Sequence, residues 1–159
     1  MAAIDRPRRI VLVPRRAIEA ARPRLVTPAA TGAEVLVVED SEAIRRLASR
    51  LLARAGYRVA VAVDGVAALE LIAARAAPFE LVLTDLNMPR MGGLELARRL
   101  AELQPRARVL FMTGYSEELA AVSTQAPTIA CLAKPFTPAE LLGHVAGELA
   151  VDRGHARSA

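Results

Sequence analysis

From Glu34 onward the chain alternates short apolar runs with amphipathic stretches, and this alternation limits the fold more than any other feature. The runs are Val35–Val38, Tyr57–Val61, Phe79–Leu83, Val109–Met112 and Thr128–Leu132. Each is strand length and is enriched in β-branched or aromatic residues. Between the first two, Ile44, Leu47, Ala48, Leu51 and Ala55 recur at helical spacing, and the stretches 65–76, 93–103, 116–124 and 138–149 have the same character. Thr137-Pro138-Ala139-Glu140 combines an N-cap, a proline at the first helical position and a capping-box glutamate, so the last helix has the clearest start. Asp64-Gly65 is a weaker start signal. Strands apolar on both faces must be covered on both faces, which predicts a parallel sheet between helices. Right-handed crossovers make such a fold doubly wound. Ligands then sit outside the carboxyl ends of the strands, where the strand order reverses.

Composition agrees with one globular α/β domain: 159 residues, 53% hydrophobic and 24% charged. The single cysteine, Cys131, excludes an intramolecular disulfide and leads us to expect a reduced, cytoplasmic protein. The longest uncharged stretch, Leu119–Ala133, is broken by polar residues and Pro127, so no membrane span is expected. The N-terminus alternates Arg and Pro and lacks the apolar core of a signal peptide. Residues 1–33 hold seven Arg against Asp5 and Glu19, so they carry more than the whole net charge of +4 and leave the remainder nearly neutral. That segment has no aromatic residue to stack on a base, so a solvated arm is expected rather than a nucleic-acid or membrane contact. The expected organisation is a basic, Pro/Arg-rich arm over 1–33, a folded domain over 34–150 and a tail over 151–159.

The predicted strand ends carry the chemistry. The first ends in Glu39-Asp40, the third in Asp85, the fourth in Thr113, and Lys134 follows the fifth. Each has a local alternative: Asp40-Ser41 as a helix cap, Asp85 as the opening of the Asn87-Met88-Pro89 turn, Thr113-Gly114 as a turn. Jointly these alternatives fare badly, because three clustered carboxylates repel one another unless a cation joins them. Carboxylates without Cys or His neighbours suit a hard divalent ion such as Mg²⁺, which also binds phosphoryl oxygens. Lys134 is the only lysine beside twenty arginines, which suggests that a compact ammonium is wanted there.

Taken together, Val35-Leu36-Val37-Val38-Glu39-Asp40, Leu81-Val82-Leu83-Thr84-Asp85-Leu86-Asn87-Met88-Pro89, Met91-Gly92-Gly93, Met112-Thr113-Gly114 and Lys134-Pro135-Phe136 resemble the receiver domain of two-component response regulators over roughly 34–150. The resemblance implies a flavodoxin-like (βα)5 fold with strand order 2-1-3-4-5. It implies Asp85 as phosphoacceptor for a histidine kinase or phosphotransfer protein. Glu39, Asp40, Asp85 and the backbone carbonyl of Asn87 would hold Mg²⁺, while Thr113 and Lys134 would bind phosphoryl oxygens. Such a domain is not an enzyme beyond its own phosphorylation and dephosphorylation. It signals to a downstream protein by contact, with a phosphorylation-dependent dimer as one form of output. Only Val151–Ala159 follow the last predicted helix, so no DNA-binding domain is expected.

Three other readings compete. The chain could be the receiver portion of a hybrid kinase or a phosphate sink. A phosphohydrolase of the haloacid-dehalogenase type would place a second Asp two residues after the nucleophile, where this chain has Asn87. A binding module that is never phosphorylated would not need Asp85, Thr113 and Lys134 together. His144 reads as a surface histidine rather than a phosphotransfer group. The chain departs from the family pattern at Cys131, where many members carry an aromatic three residues before the lysine. The partner surface is therefore expected on 113–124, including Tyr115, Glu117 and Glu118.

Overall fold

A computed structural model of the chain describes residues 32–114 and 130–150. In chain order it contains β1 (Glu34–Val38), α1 (Glu42–Arg54), β2 (Arg58–Ala62), α2 (Gly65–Ala73), β3 (Leu81–Asp85), α3 (Gly93–Leu103), β4 (Arg108–Thr113), β5 (Ala130–Ala133) and α4 (Pro138–Ala150). All five strands are parallel, in the order β2-β1-β3-β4-β5. The order reverses between β1 and β3, the point at which a doubly wound sheet opens a crevice.

Period-two alternation sorts the apolar side chains to the two faces. Val35, Val37, Leu81, Leu83, Leu110, Met112 and Leu132 pack with Ala48 and Leu52 of α1 and Leu141 and Val145 of α4. Leu36, Val38, Ala62 and Val82 turn to the other face and meet Ala68 and Ile72 of α2 and Leu96 and Leu100 of α3. β1 and β3 are central, and every residue of β3 is buried. The edge strand β2 leaves Arg58 and Val61 exposed, so the two-faced burial read from the sequence holds for the middle of the sheet rather than its rim.

The helix ends follow their local chemistry. Thr137 Oγ1 accepts the N–H of Glu140 at 3.2 Å, and Glu140 Oε2 accepts the N–H of Thr137 at 2.7 Å, the reciprocal capping box expected for α4. α1 closes through Gly56 at φ 93°, whose N–H reaches the Ala53 carbonyl while that of Tyr57 reaches the Leu52 carbonyl. These two bonds satisfy carbonyls that the last turn leaves open. β3 differs from the expected Phe79–Leu83 span. Phe79 lies ahead of the strand with its N–H held by Gln104 Oε1 at 3.2 Å, and the ladder runs on through Thr84 and Asp85, opposite Phe111 and Met112. α2 stops at Ala73, short of the expected residue 76. The expected helix over 116–124, and Thr128 and Ile129 of the expected fifth strand, lie outside the described residues.

Candidate functional site

The register of the parallel sheet brings the sequence-selected residues together. β1 and β3 pair with Val38 opposite Thr84, so the next residues, Glu39 just past β1 and Asp85 at the end of β3, lie side by side at the carboxyl edge of the sheet. Both share the parity of Val37 and Leu83 and emerge on the face covered by α1 and α4. Lys134 has the parity of Leu132 on the same face, and its N–H is fixed by the Thr113 carbonyl at 2.8 Å. Its ammonium donates to Glu39 Oε2 at 2.7 Å and sits 3.2 Å from Asp85 Oδ1.

Asp85 Oδ1 also accepts the Leu86 N–H at 2.9 Å. This bond to the next residue does not open the Asn87-Met88-Pro89 turn considered for Asp85, which is the last residue of β3. The helix-cap alternative for Asp40-Ser41 is not realised: Ser41 occupies the N-cap position of α1 without a side-chain cap, and its N–H goes to Glu39 Oε1 at 3.1 Å. Thr113 is the last residue of β4 and is buried, rather than forming a turn with Gly114. Asn87 is exposed in the loop after β3.

Burial sets the electrostatics. Glu39 is 1% exposed and Asp85 9%, and desolvation pushes both carboxyls above their ordinary range, against the lowering pull of Lys134. For Lys134, burial alone would lower the pKa; the hydrogen bond to Glu39 and the charges of Glu39 and Asp85 outweigh it, and the net shift is upward. The repulsion that the sequence led us to expect is thus met in part by the chain's own ammonium. One ammonium still leaves an excess of negative charge. Glu39, Asp40 and Asp85 each offer an oxygen, and these lie within 4.8 Å of one another. This all-oxygen donor set fits a hard divalent cation.

Residues to which the sequence analysis gave no role in the site lie beside it. Arg45 donates one guanidinium nitrogen to the carbonyls of Glu39 and Asp40, at 2.7 and 3.1 Å, and so fixes the turn that carries both acids. Its position one turn into α1 was the available signal. Asp64, read only as a helix start, is 2% exposed and is paired with Arg90 of the loop after β3. Behind Asp85, a Cβ at Gly93 would collide with the Asp85 carbonyl oxygen, so the β3–α3 junction requires glycine there. Cys131 lies on β5 beside Phe111 and packs near Leu86 and Leu94. Burial pushes its thiol up to about 11. Tyr115, Glu117 and Glu118, the expected partner surface, lie outside the described residues.

The parallel doubly wound sheet thus presents a carboxylate cluster, a threonine and a lysine at its carboxyl edge. Residues 35–146 match the response regulator receiver domain model, and the chain belongs to that family. Over 112 residues it is 37% identical to the response regulator receiver protein CpdR of Brucella abortus (strain 2308), covering 70% of this chain and 92% of the relative. It is 32% identical over 104 residues to sporulation initiation phosphotransferase F of Bacillus subtilis (strain 168), covering 65% of this chain and 82% of that one. Among solved structures, chemotaxis response regulator CheY4 of Vibrio cholerae aligns with a TM-score of 0.65 at 33% identity, over 74% of this chain and 99% of the other. The chain is accordingly a receiver domain of two-component signalling. No helix among the described residues is long and apolar enough to cross a membrane.

Proposed function

We propose that the chain accepts a phosphoryl group on Asp85 from the phosphohistidine of a kinase or phosphotransfer protein and signals by protein contact. The observation that carries this reading is the convergence of Glu39, Asp85 and Lys134 at one sheet edge, with Asp85 nearly buried but still reachable. An Asp85 carboxylate oxygen forms a bond to phosphorus as the P–N bond breaks, and the imidazole leaves with the electron pair. The incoming group brings negative charge into a site already rich in it. Lys134 is poised to exchange a carboxylate contact for a phosphoryl oxygen, and the Thr113 hydroxyl lies at the end of the adjacent strand as a further donor. Glu39, Asp40, Asp85 and the Asn87 carbonyl would hold Mg²⁺, which supplies neutralising charge on the transferring group when bound. Asn87 stands where a phosphohydrolase would need a second acid, so the reading is a phosphoacceptor that turns over only its own acyl phosphate.

The folded unit is proposed as 34–150 and its setting as the cytoplasm, with a downstream protein or a second phosphorylated copy as output. Incubation with acetyl phosphate and Mg²⁺ should give an acid-stable, base-labile adduct that is lost in Asp85→Asn. Equal labelling of that variant would overturn the assignment.

A further inference from the structure

The loop that follows the phosphoacceptor, Leu86–Gly92, is closed on itself at its ends. The Gly93 N–H returns to the Leu86 carbonyl at 3.0 Å, and Leu86 is held by Asp85 Oδ1 and the Met112 carbonyl. Its far side is tied to the loop between β2 and α2. Arg90 donates Nε to Asp64 Oδ2 at 2.6 Å, with a second guanidinium nitrogen 2.5 Å from the same oxygen. The Gly65 N–H meets the Met91 carbonyl at 3.1 Å, and a Cβ on Gly65 would strike the Met91 side chain.

Asp64 divides its two oxygens between two tasks. Oδ1 accepts the Ala67 N–H at 3.0 Å and caps α2; Oδ2 holds Arg90. The carboxylate is 2% exposed although its partner guanidinium is largely in water. Arg90 is itself under strain. It has φ 62°, the only positive φ among the described non-glycine residues, and it centres a three-residue turn closed by the Met91 N–H on the Pro89 carbonyl at 2.7 Å. This is the rarer hand of the γ-turn, which a residue with a Cβ adopts only when its surroundings enforce it.

We propose that Asp64 is a positioning residue for phosphoryl transfer: by holding Arg90 in its left-handed conformation it fixes the loop that presents Asn87 beside Asp85. The proposal rests on the phosphoacceptor reading for its consequence, though not for its geometry. Two readouts on the full chain test it, amide exchange of residues 87–92 without metal and Mg²⁺ affinity by calorimetry. Asp64→Asn keeps an acceptor for the α2 cap and loses the charge, while Arg90→Ala loses the tether and keeps the Cβ. Both should speed loop exchange by about ten-fold and weaken Mg²⁺ binding by about five-fold.

Arg90→Gly, whose backbone enters the left-handed region without strain, should restore Mg²⁺ affinity to within about two-fold of the native value. Adding Asp64→Asn to Arg90→Gly should then cost nothing further. A plain structural role for Asp64 would not produce that rescue. Exchange and affinity unchanged in Asp64→Asn and Arg90→Ala, or Arg90→Gly as weak as Arg90→Ala, would overturn the proposal. If the native chain were not labelled by acetyl phosphate, the phosphoacceptor reading would fail while the exchange comparison still judged the clamp.

Discussion

Replacing Lys134 with Met removes the one ammonium that touches both Glu39 and Asp85, at 2.7 and 3.2 Å, and leaves an apolar stem of similar length. At an effective dielectric near 20, each contact is a gross attraction of roughly 5–6 kcal/mol. The net loss is smaller, because a carboxyl without its cation can protonate. That escape costs about 1.4 kcal/mol for each pH unit above an ordinary carboxyl pKa near 4.3. It therefore bounds the penalty for Glu39, which is 1% exposed, at roughly 3.5 kcal/mol near pH 7 and about 1 kcal/mol near pH 5. Asp85 retains some access to water and adds less.

The sign follows from burial, which already raises both folded pKa values, with Lys134 opposing the rise. Without Lys134 they rise further. An acid whose folded pKa exceeds its unfolded one costs nothing below the unfolded value and progressively more as pH climbs toward the folded one. Urea unfolding of native protein and Lys134→Met, both metal-free, at about pH 5 and about pH 7 measures this directly. The native chain already bears part of this penalty, so a loss of about 1 to 3 kcal/mol near neutrality that shrinks clearly at the lower pH supports the account. A loss that is equal at both pH values, or below about 1 kcal/mol near pH 7, would refute the view that Lys134 neutralises a buried acidic pair.

Asp40 is the exposed member of the acidic cluster, so Asp40→Asn should weaken Mg²⁺ binding by calorimetry and leave metal-free stability equal or higher by up to roughly 0.5 kcal/mol; a marked fall in melting temperature would mean a structural cap instead. Burial raises the Cys131 thiol to about 11, so alkylation by iodoacetamide at neutral pH should be far slower than for an exposed thiol and should accelerate in urea; rapid labelling of the folded chain would contradict its packing beside Phe111. Thr137→Ala removes the capping box of α4 and should cost about 1 kcal/mol in urea unfolding, without changing acetyl-phosphate labelling.

The fold was legible because the apolar runs are short and regularly spaced, with those of β1 and β4 uninterrupted by charge; parity puts Glu39 and Asp85 on one face of the sheet, and the register of β1 against β3 puts them side by side. The site residues were legible because they fall at strand ends and include the chain's only lysine. The Phe79–Leu83 run misplaced β3 because an aromatic packed ahead of the strand has the same apolar signature as one inside it. Only the ladder to Phe111 and Met112 shows Asp85 as strand rather than loop. Arg90 was invisible for a different reason: its left-handed backbone is imposed by Asp64, 26 residues away, and no local pattern records that. Lys134's contacts with two carboxylates are likewise tertiary, so the sequence showed the need for a cation and not the chain's own share in meeting it.

The central claim is that Asp85 carries the phosphoryl group. Borohydride reduces an aspartyl phosphate to homoserine, so the full chain treated with acetyl phosphate and Mg²⁺, reduced, digested and sequenced by mass spectrometry reports the modified residue directly. The account predicts homoserine at position 85 and at no other acidic residue. Homoserine at Asp40 or Asp64, the longer 5-hydroxynorvaline that a reduced glutamyl phosphate would leave at Glu39, or no reduced product under conditions that phosphorylate another receiver domain, would contradict it.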